Sequence, residues 1–377
     1  MIRANRNLGV AALLLLCLIL SSPVLAPMAR AQSNVGTVTL YGIPYGVAYD
    51  SGNGEIFVAE LDQNQVAVVS DANDSVMKTV GVGGVPYGVV YDTGAGEVFV
   101  ANYGSNTVSV ISDANDTVVA TVHVGRGPIG VAYDSVKGEV FVTDSDSNQV
   151  SVISDSSDSV VANVTVGNDP VAVAYDSGKG VVMVANDGSN SVSVIADAGN
   201  SVVATVPVGS NPDGVAYDAS KGEMFVSDLG SSSLSIVSDS EDKVVATANV
   251  GGGPVGVAYD APMGEIFVAD SIGDRVSVVS DSDDSVIANV SVGGDPFGIA
   301  YDSARAEVFV GDQATDSISV LSVAAVSTTT THSASSSLLV SYPEIGALQA
   351  AVVLLAALVT KRRLEMTNAG SVRSQGF

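Results

Sequence analysis

Cysteine is nearly absent from this chain of 377 residues, tryptophan is absent altogether, and histidine occurs twice. The one cysteine, Cys17, sits in an apolar N-terminal run, so the remainder can form no disulfide, no zinc–thiolate site and no cysteine nucleophile. Of the two histidines only His123 lies outside a Ser/Thr-rich tract near the C-terminus. The sequence carries no phosphate loop, no nucleophile elbow and no metal-binding His pair. Basic residues are equally scarce: Lys and Arg number 15 against 41 Asp and Glu, a net charge of −26. Between Gln32 and Val323 there are 8 basic and 39 acidic residues. Such a surface cannot neutralise phosphates, which argues against nucleic acid as a partner. It suits solubility, cation-rich surroundings and repulsion of like molecules, as expected of a monomer.

What is plentiful is Gly, with 39 copies, together with Val and Ser. That mix favours short strands and tight turns over helices, and 46% hydrophobic residues suffice for a substantial core. The Tyr-Asp pair of "PYGVAYDSGNGEIFVAE" recurs at Tyr49, Tyr91, Tyr133, Tyr175, Tyr217, Tyr259 and Tyr301, a constant step of 42 residues. Pro44, Pro86, Pro128, Pro170, Pro212, Pro254 and Pro296 keep the same step. A fixed period of this length means blades or solenoid turns. Each unit holds four apolar runs separated by Gly/Asn/Asp/Ser turns, which is a four-stranded meander. Seven such sheets around an axis make an all-β, seven-bladed β-propeller. The seventh unit stops at Val323 before its fourth strand, and "VGTVTLY" (35–41) aligns with "VATVHVG" (119–125). The N-terminal strand is therefore expected to complete the last blade and remove an open sheet edge.

The strands "FVAN" at Phe99, "FVTD" at Phe141, "MVAN" at Met183 and "FVSD" at Phe225, with the preceding "GxxPxGVAYD", resemble the repeat of YVTN-family propellers. That family is known from archaeal surface-layer and bacterial periplasmic proteins. The resemblance covers 35–323 and implies the propeller fold, with a binding or scaffold role; superfolds host many activities, so it implies function only loosely.

The two ends have their own character. Arg3 and Arg6 precede an apolar run and then Ala29-Arg30-Ala31, the three parts of a secretory signal peptide over 1–31. An uncleaved membrane anchor is the alternative. The propeller is expected over 32–323, a Ser/Thr-rich stalk over 324–342, an apolar transmembrane segment closed by Lys361, Arg362 and Arg363 over 343–363, and a cytoplasmic tail over 364–377. Pro343-Glu344-Ile345-Gly346 ahead of the apolar segment resembles archaeal PEFG-type sorting signals, with Ile where the pattern has Phe. That resemblance implies processing by an archaeosortase; a retained membrane helix is the alternative. Either way the body is expected on the outer face of the membrane.

Repeats also serve as an internal comparison. Gly46, Ala48 and their counterparts are small, as a crowded inner strand requires, and the Tyr-Asp pairs are expected to pack the ring and cap the following turn. The pair Asp71/Asp74 and its copies predict an Asx-turn in a hairpin, with calcium binding as the alternative. Glu60, Asn102, Asp144, Asn186, Asp228, Asp270 and Asp312 end the second strands. They are expected to satisfy backbone groups at the strand end, with a place at the channel mouth as the alternative, where Asp144, Asp228, Asp270 and Asp312 are calcium candidates. His123 stands where other copies have Gly, Thr, Pro, Asn or Ser, which places it on a solvated outer strand rather than in a catalytic site. The copies diverge around each proline and after each second strand. That face is the candidate ligand site, with Tyr45, Tyr87, Tyr103, Arg126, Asp169, Asp213, Asp295 and Phe297 as anchors for a cell-envelope protein or glycan. Asn73, Asn115, Asn163 and Asn289 meet the N-glycosylation rule for an exported chain. The expected function is a surface-anchored binding or scaffold module without catalytic residues or cofactor; the alternative is an extracytoplasmic enzyme of lyase or lactonase type with a site on the axial face.

Overall fold

The computed structural model describes residues 32–323, in which 28 strands form seven four-stranded antiparallel sheets. In blade 1 the strands run in order from the axis outward: Pro44–Asp50, Glu55–Glu60, Gln65–Ser70 and Ser75–Gly81. Val, Ile, Phe and Ala of the second and third strands are buried on both faces, because each sheet is covered by a neighbour on either side. Successive sheets are glued by apolar clusters that each draw on two adjacent blades. Phe57, Phe99, Phe141, Phe225, Phe267 and Phe309 repeat as the largest fully buried side chains, with Met183 taking the place in blade 4.

The ring closes as the sequence predicts. Strand Ser33–Thr39 pairs antiparallel with Ser317–Ser322 and becomes the outer strand of the blade that holds Pro296–Asp302. Val38 lies opposite Ile318, and Val38 and Leu40 enter one buried cluster with Val47, Ile56 and Phe309.

The turns assign roles to the repeated aspartates. Asp50 Oδ1 accepts the Gly52 N–H at 2.7 Å and the Asn53 N–H at 3.2 Å, and the following Gly54 is left-handed at φ 69°. The Asx-turn therefore belongs to the Tyr-Asp aspartate, not to the Asp71 series. Asp71, Asp113 and Asp281 instead accept the Tyr49, Tyr91 and Tyr259 hydroxyls at 3.4, 3.0 and 2.9 Å. Asp74, Asp116, Asp158, Asp242 and Asp284 take the left-handed position of the next turn, which Asp tolerates better than most residues. Each tyrosine also faces the preceding blade. Burial and the neighbouring Asp113 and Asp50 carboxylates hold the Tyr91 hydroxyl firmly protonated, so it links two blades as a donor.

Among the described residues no helix is long and apolar enough to cross a membrane. The expected signal peptide, stalk, sorting motif Pro343-Glu344-Ile345-Gly346, apolar segment and tail lie outside the described residues.

Candidate functional site

Each inner strand starts at its proline and then breaks register. In blade 1 the pairing jumps from Pro44↔Glu60 to Val47↔Val58, leaving Tyr45 and Gly46 in a bulge. Bulges re-aim side chains, and here the bulge residue turns toward the axis. The glycine after it is needed because a Cβ on Gly46 would overlap the Tyr87 carbonyl oxygen of the next blade. Gly88, Gly130, Gly214, Gly256 and Gly298 meet Ile129, Val171, Val255, Phe297 and Tyr45 in the same way. In blade 5 the bulge is fixed from both sides: the Gly214 N–H donates to Ser227 Oγ at 2.8 Å, and Ser227 Oγ donates to the Val255 carbonyl at 2.5 Å.

Seven bulge residues thus encircle the axis: Tyr45, Tyr87, Ile129, Val171, Asp213, Val255 and Phe297. Five of them, Tyr45, Ile129, Val171, Asp213 and Phe297, line a cavity of about 170 Å³ whose deeper wall is Val47, Val89, Val131, Val173, Val215, Val257 and Ile299. The crown is lopsided. Tyr45 packs against Tyr87 with ring centroids 4.3 Å apart and against Phe297 at 4.2 Å, so blades 7, 1 and 2 present a continuous aromatic arc. Tyr103, from the loop after the second strand of blade 2, extends that arc at 5.3 Å from Tyr87. Blade 5, across the axis, contributes the one ionisable group on the non-aromatic side of the crown, Asp213.

Asp213 opens into this cavity and accepts no hydrogen bond from the described residues. Burial, reinforced by the Asp187 carboxylate, pushes its carboxyl up to about 7. Tyr45 is held well above an ordinary phenol by burial first, then by Asp213 and Tyr87. A carboxyl poised near neutrality in an apolar cleft marks a functional-site candidate.

The structure brings four predicted anchors, Tyr45, Tyr87, Asp213 and Phe297, into one ring and sets Tyr103 against it. The other three stand on the rim. Arg126 is exposed, with its guanidinium 3.2 Å from the Asp146 carbonyl, and Tyr103 Oη is 3.5 Å from Asp146 Oδ1. Asp169 and Asp295 hold left-handed loop positions; Asp169 accepts from Ser145, and the Asp295 N–H donates to Asp274 Oδ1 at 3.0 Å. Sequence reasoning missed Ile129, Val171 and Val255, although the step of 42 residues from Tyr45 reaches each of them.

At the strand ends the side chains serve backbone groups, the reading preferred from sequence over a ring at the channel mouth: the Tyr41 and Gly42 N–H groups donate to Glu60 Oε1 at 2.8 and 3.1 Å, and the Gly167 N–H donates to Asn186 Oδ1 at 3.1 Å. Asp144, Asp228, Asp270 and Asp312 are fully buried within their own blades and are not part of the cavity wall. Asp144 accepts Ser151 Oγ at 2.6 Å, Asp228 accepts Ser235 Oγ at 2.7 Å, Asp312 accepts Ser319 Oγ at 2.7 Å, and Asp270 accepts Arg275 Nε at 2.7 Å. Asn102 and Asn186 reverse the polarity and donate to Ser109 and Ser193, both at 3.0 Å. Burial pushes Asp144 and Asp312 up to about 6 against those hydrogen bonds. Among the described residues no group of three or more Asp, Glu, His or Cys side chains is arranged to hold a metal ion. His123 ends an outer strand, exposed. Asn73, Asn115, Asn163 and Asn289 are all exposed as well.

No family model matches the chain, and no curated protein sequence matches it. Among solved structures, hydrazine synthase of Kuenenia stuttgartiensis is similar, with 17% sequence identity and a TM-score of 0.69 over 75% of this chain and 96% of that one. At that identity the likeness bears on architecture alone: the chain is a seven-bladed propeller of four-stranded antiparallel blades.

Proposed function

We propose that this chain is an exported binding module that takes its partner or ligand on the axial face formed by the crown and its rim. The observation that carries this reading is the contrast between the two kinds of position. Buried blade positions repeat almost unchanged, whereas the seven crown residues share a backbone geometry and differ in chemistry. Tyr45, Tyr87, Tyr103 and Phe297 supply rigid aromatic area, and Arg126, Asp146, Asp169, Asp187 and Asp295 supply a charged rim, the composition of a recognition surface. The apolar cavity wall suits binding more than group transfer. An envelope partner or glycan remains the class this face fits.

The YVTN resemblance, the signal-peptide pattern and the sorting-signal pattern support a place on the outer face of the membrane. The first strand starts at Ser33, two residues after the small-x-small site, which agrees with cleavage after Ala31. Exposure of the four sequons is consistent with glycosylation. One observation favours the enzyme reading: Asp213, with its carboxyl near neutrality, has the character of a general acid or base.

The test is a glycan array and a panel of purified envelope proteins, probed with the wild-type chain and with a variant carrying Tyr103→Ala and Arg126→Ala. Binding by the wild type that the variant loses supports the reading. Equal binding by both, or turnover of a bound compound, overturns it.

A further inference from the structure

The lopsided crown has a chemistry of its own, and resting on the axial-face reading it narrows the ligand. We propose that the axial cavity binds a primary alkylammonium group, its charge held between the Asp213 carboxylate and the Tyr45/Phe297 aromatic pair and its carbon chain lying against the valine wall.

Four features combine. First, a cation above aromatic faces is attracted by their quadrupoles, the more so where water is excluded. Tyr45, with Phe297 packed against it, lines the cavity across from blade 5, so a cation on the axis meets aromatic rings on one side and a carboxylate on the other. Second, Asp213 is a half-buried acceptor on the cavity wall with no donor among the described residues, and a charged N–H is the partner such a carboxylate takes most strongly. Third, the wall beneath is made of Val and Ile, which cannot replace the hydration shell of a bare metal ion but do accommodate methylenes. Fourth, the cavity of about 170 Å³ is close to the roughly 150 Å³ that accommodates benzene in an engineered site, so a short aliphatic amine fits inside it while larger groups stay on the rim. The acidic body of the molecule draws cations toward this face in any case.

Two sources carry this group, a free amine and a lysine side chain of a partner protein. Both depend on the ionisation of Asp213. The groups facing it are Tyr45 from blade 1 and Asp187 from the blade 4 loop. Binding therefore favours the deprotonated carboxylate, strengthens as pH rises from 6 to 8, and releases protons near pH 7.

The experiment is calorimetry on the full chain with n-butylammonium, 1,4-diaminobutane, 1-butanol, and a pair of peptides differing only in Lys against norleucine. We expect the amines to bind, 1-butanol to bind at least tenfold more weakly, and Asp213→Asn to weaken amine binding at least tenfold while its melting curve stays like the wild type. Preference for the Lys peptide over the norleucine peptide and over the free amines assigns a protein partner; the reverse order assigns a free amine. Partner capture from the glycan array and the envelope-protein panel is measured on Asp213→Asn as well, so loss of partner capture and loss of amine binding separate. Absence of amine binding at pH 8, equal binding of 1-butanol, or amine binding unchanged in a folded Asp213→Asn protein overturns the proposal. If rim-dependent partner capture persists in that case, the axial-face reading survives without it.

Discussion

Leu40 is the smallest handle on the closure of the ring. It lies just beyond the N-terminal strand, its N–H donates to the Asp316 carbonyl at 2.9 Å, and its side chain is 5% exposed in a cluster that joins the last blade to the first. Replacing a buried Leu by Ala costs about 2–5 kcal/mol, through lost transfer energy and the cavity left behind. For a domain of roughly 300 residues, with about 2 °C per kcal/mol, that is a fall in melting temperature of about 4–10 °C. The matched control is Val203→Ala on the outer strand of blade 4, where the side chain is 58% exposed and the cost is within about 0.5 kcal/mol. Differential scanning calorimetry of the two variants reads the difference directly. The reasoning also predicts that deleting 33–41 produces a larger fall, because it strips Ile318 and Val320 of their cover and leaves an open edge. If Leu40→Ala melts like Val203→Ala, the strand does not fasten the ring and the closure argument is wrong.

Three further outcomes follow from the same geometry. Asp144 and Asp312 have folded-state pKa values of about 6, above those of an unfolded chain, so the folded form binds more protons between about pH 4 and pH 6. Their stabilisation is complete below that window and lost as pH rises through it, so the melting temperature is higher at pH 5 than at pH 8; a flat or inverted profile contradicts this. Asp144→Asn reproduces the Asn102 and Asn186 arrangement and removes a buried charge, raising stability at pH 8 by at most about 3 kcal/mol and leaving pH 4 nearly unchanged; a loss at pH 8 refutes it. Gly298→Ala drives a methyl into the Tyr45 carbonyl and separates blades 7 and 1, lowering the melting temperature by several degrees, whereas Ala172→Gly costs about 1 kcal/mol or less. Equal melting temperatures for these two variants refute the close-approach explanation.

Most of the fold was legible because it rests on local, repeated signals. Alternating Val and Thr, Gly/Asn/Asp turns and a constant step of 42 residues fix the strands, and the match of 35–41 to 119–125 fixes the closure. The aspartates were harder. Asp71 and Asp50 look equally fit for an Asx-turn in sequence, and only the tyrosine hydroxyl arriving across the hairpin decides which one folds the turn. Asp144 and its relatives were legible as strand-end groups serving the backbone, but not as fully buried ones. A strand-end carboxylate reads as exposed until the serine two positions into the partner strand, Ser151, is seen to hold it inside the blade. The crown was half visible: Tyr45, Tyr87, Asp213 and Phe297 stand out by chemistry, whereas Ile129, Val171 and Val255 pass for core. What joins them is the bulge after each proline, a backbone irregularity with no residue signature beyond the glycine that follows.

The most direct measurement is the titration of the Asp213 carboxyl carbon by NMR in the full chain, assigned by its loss in Asp213→Asn, with and without n-butylammonium. A midpoint near 7 that falls when the amine is added is the predicted result. A midpoint near 4 that the amine leaves in place contradicts the account of an axial site built around the Asp213 carboxylate.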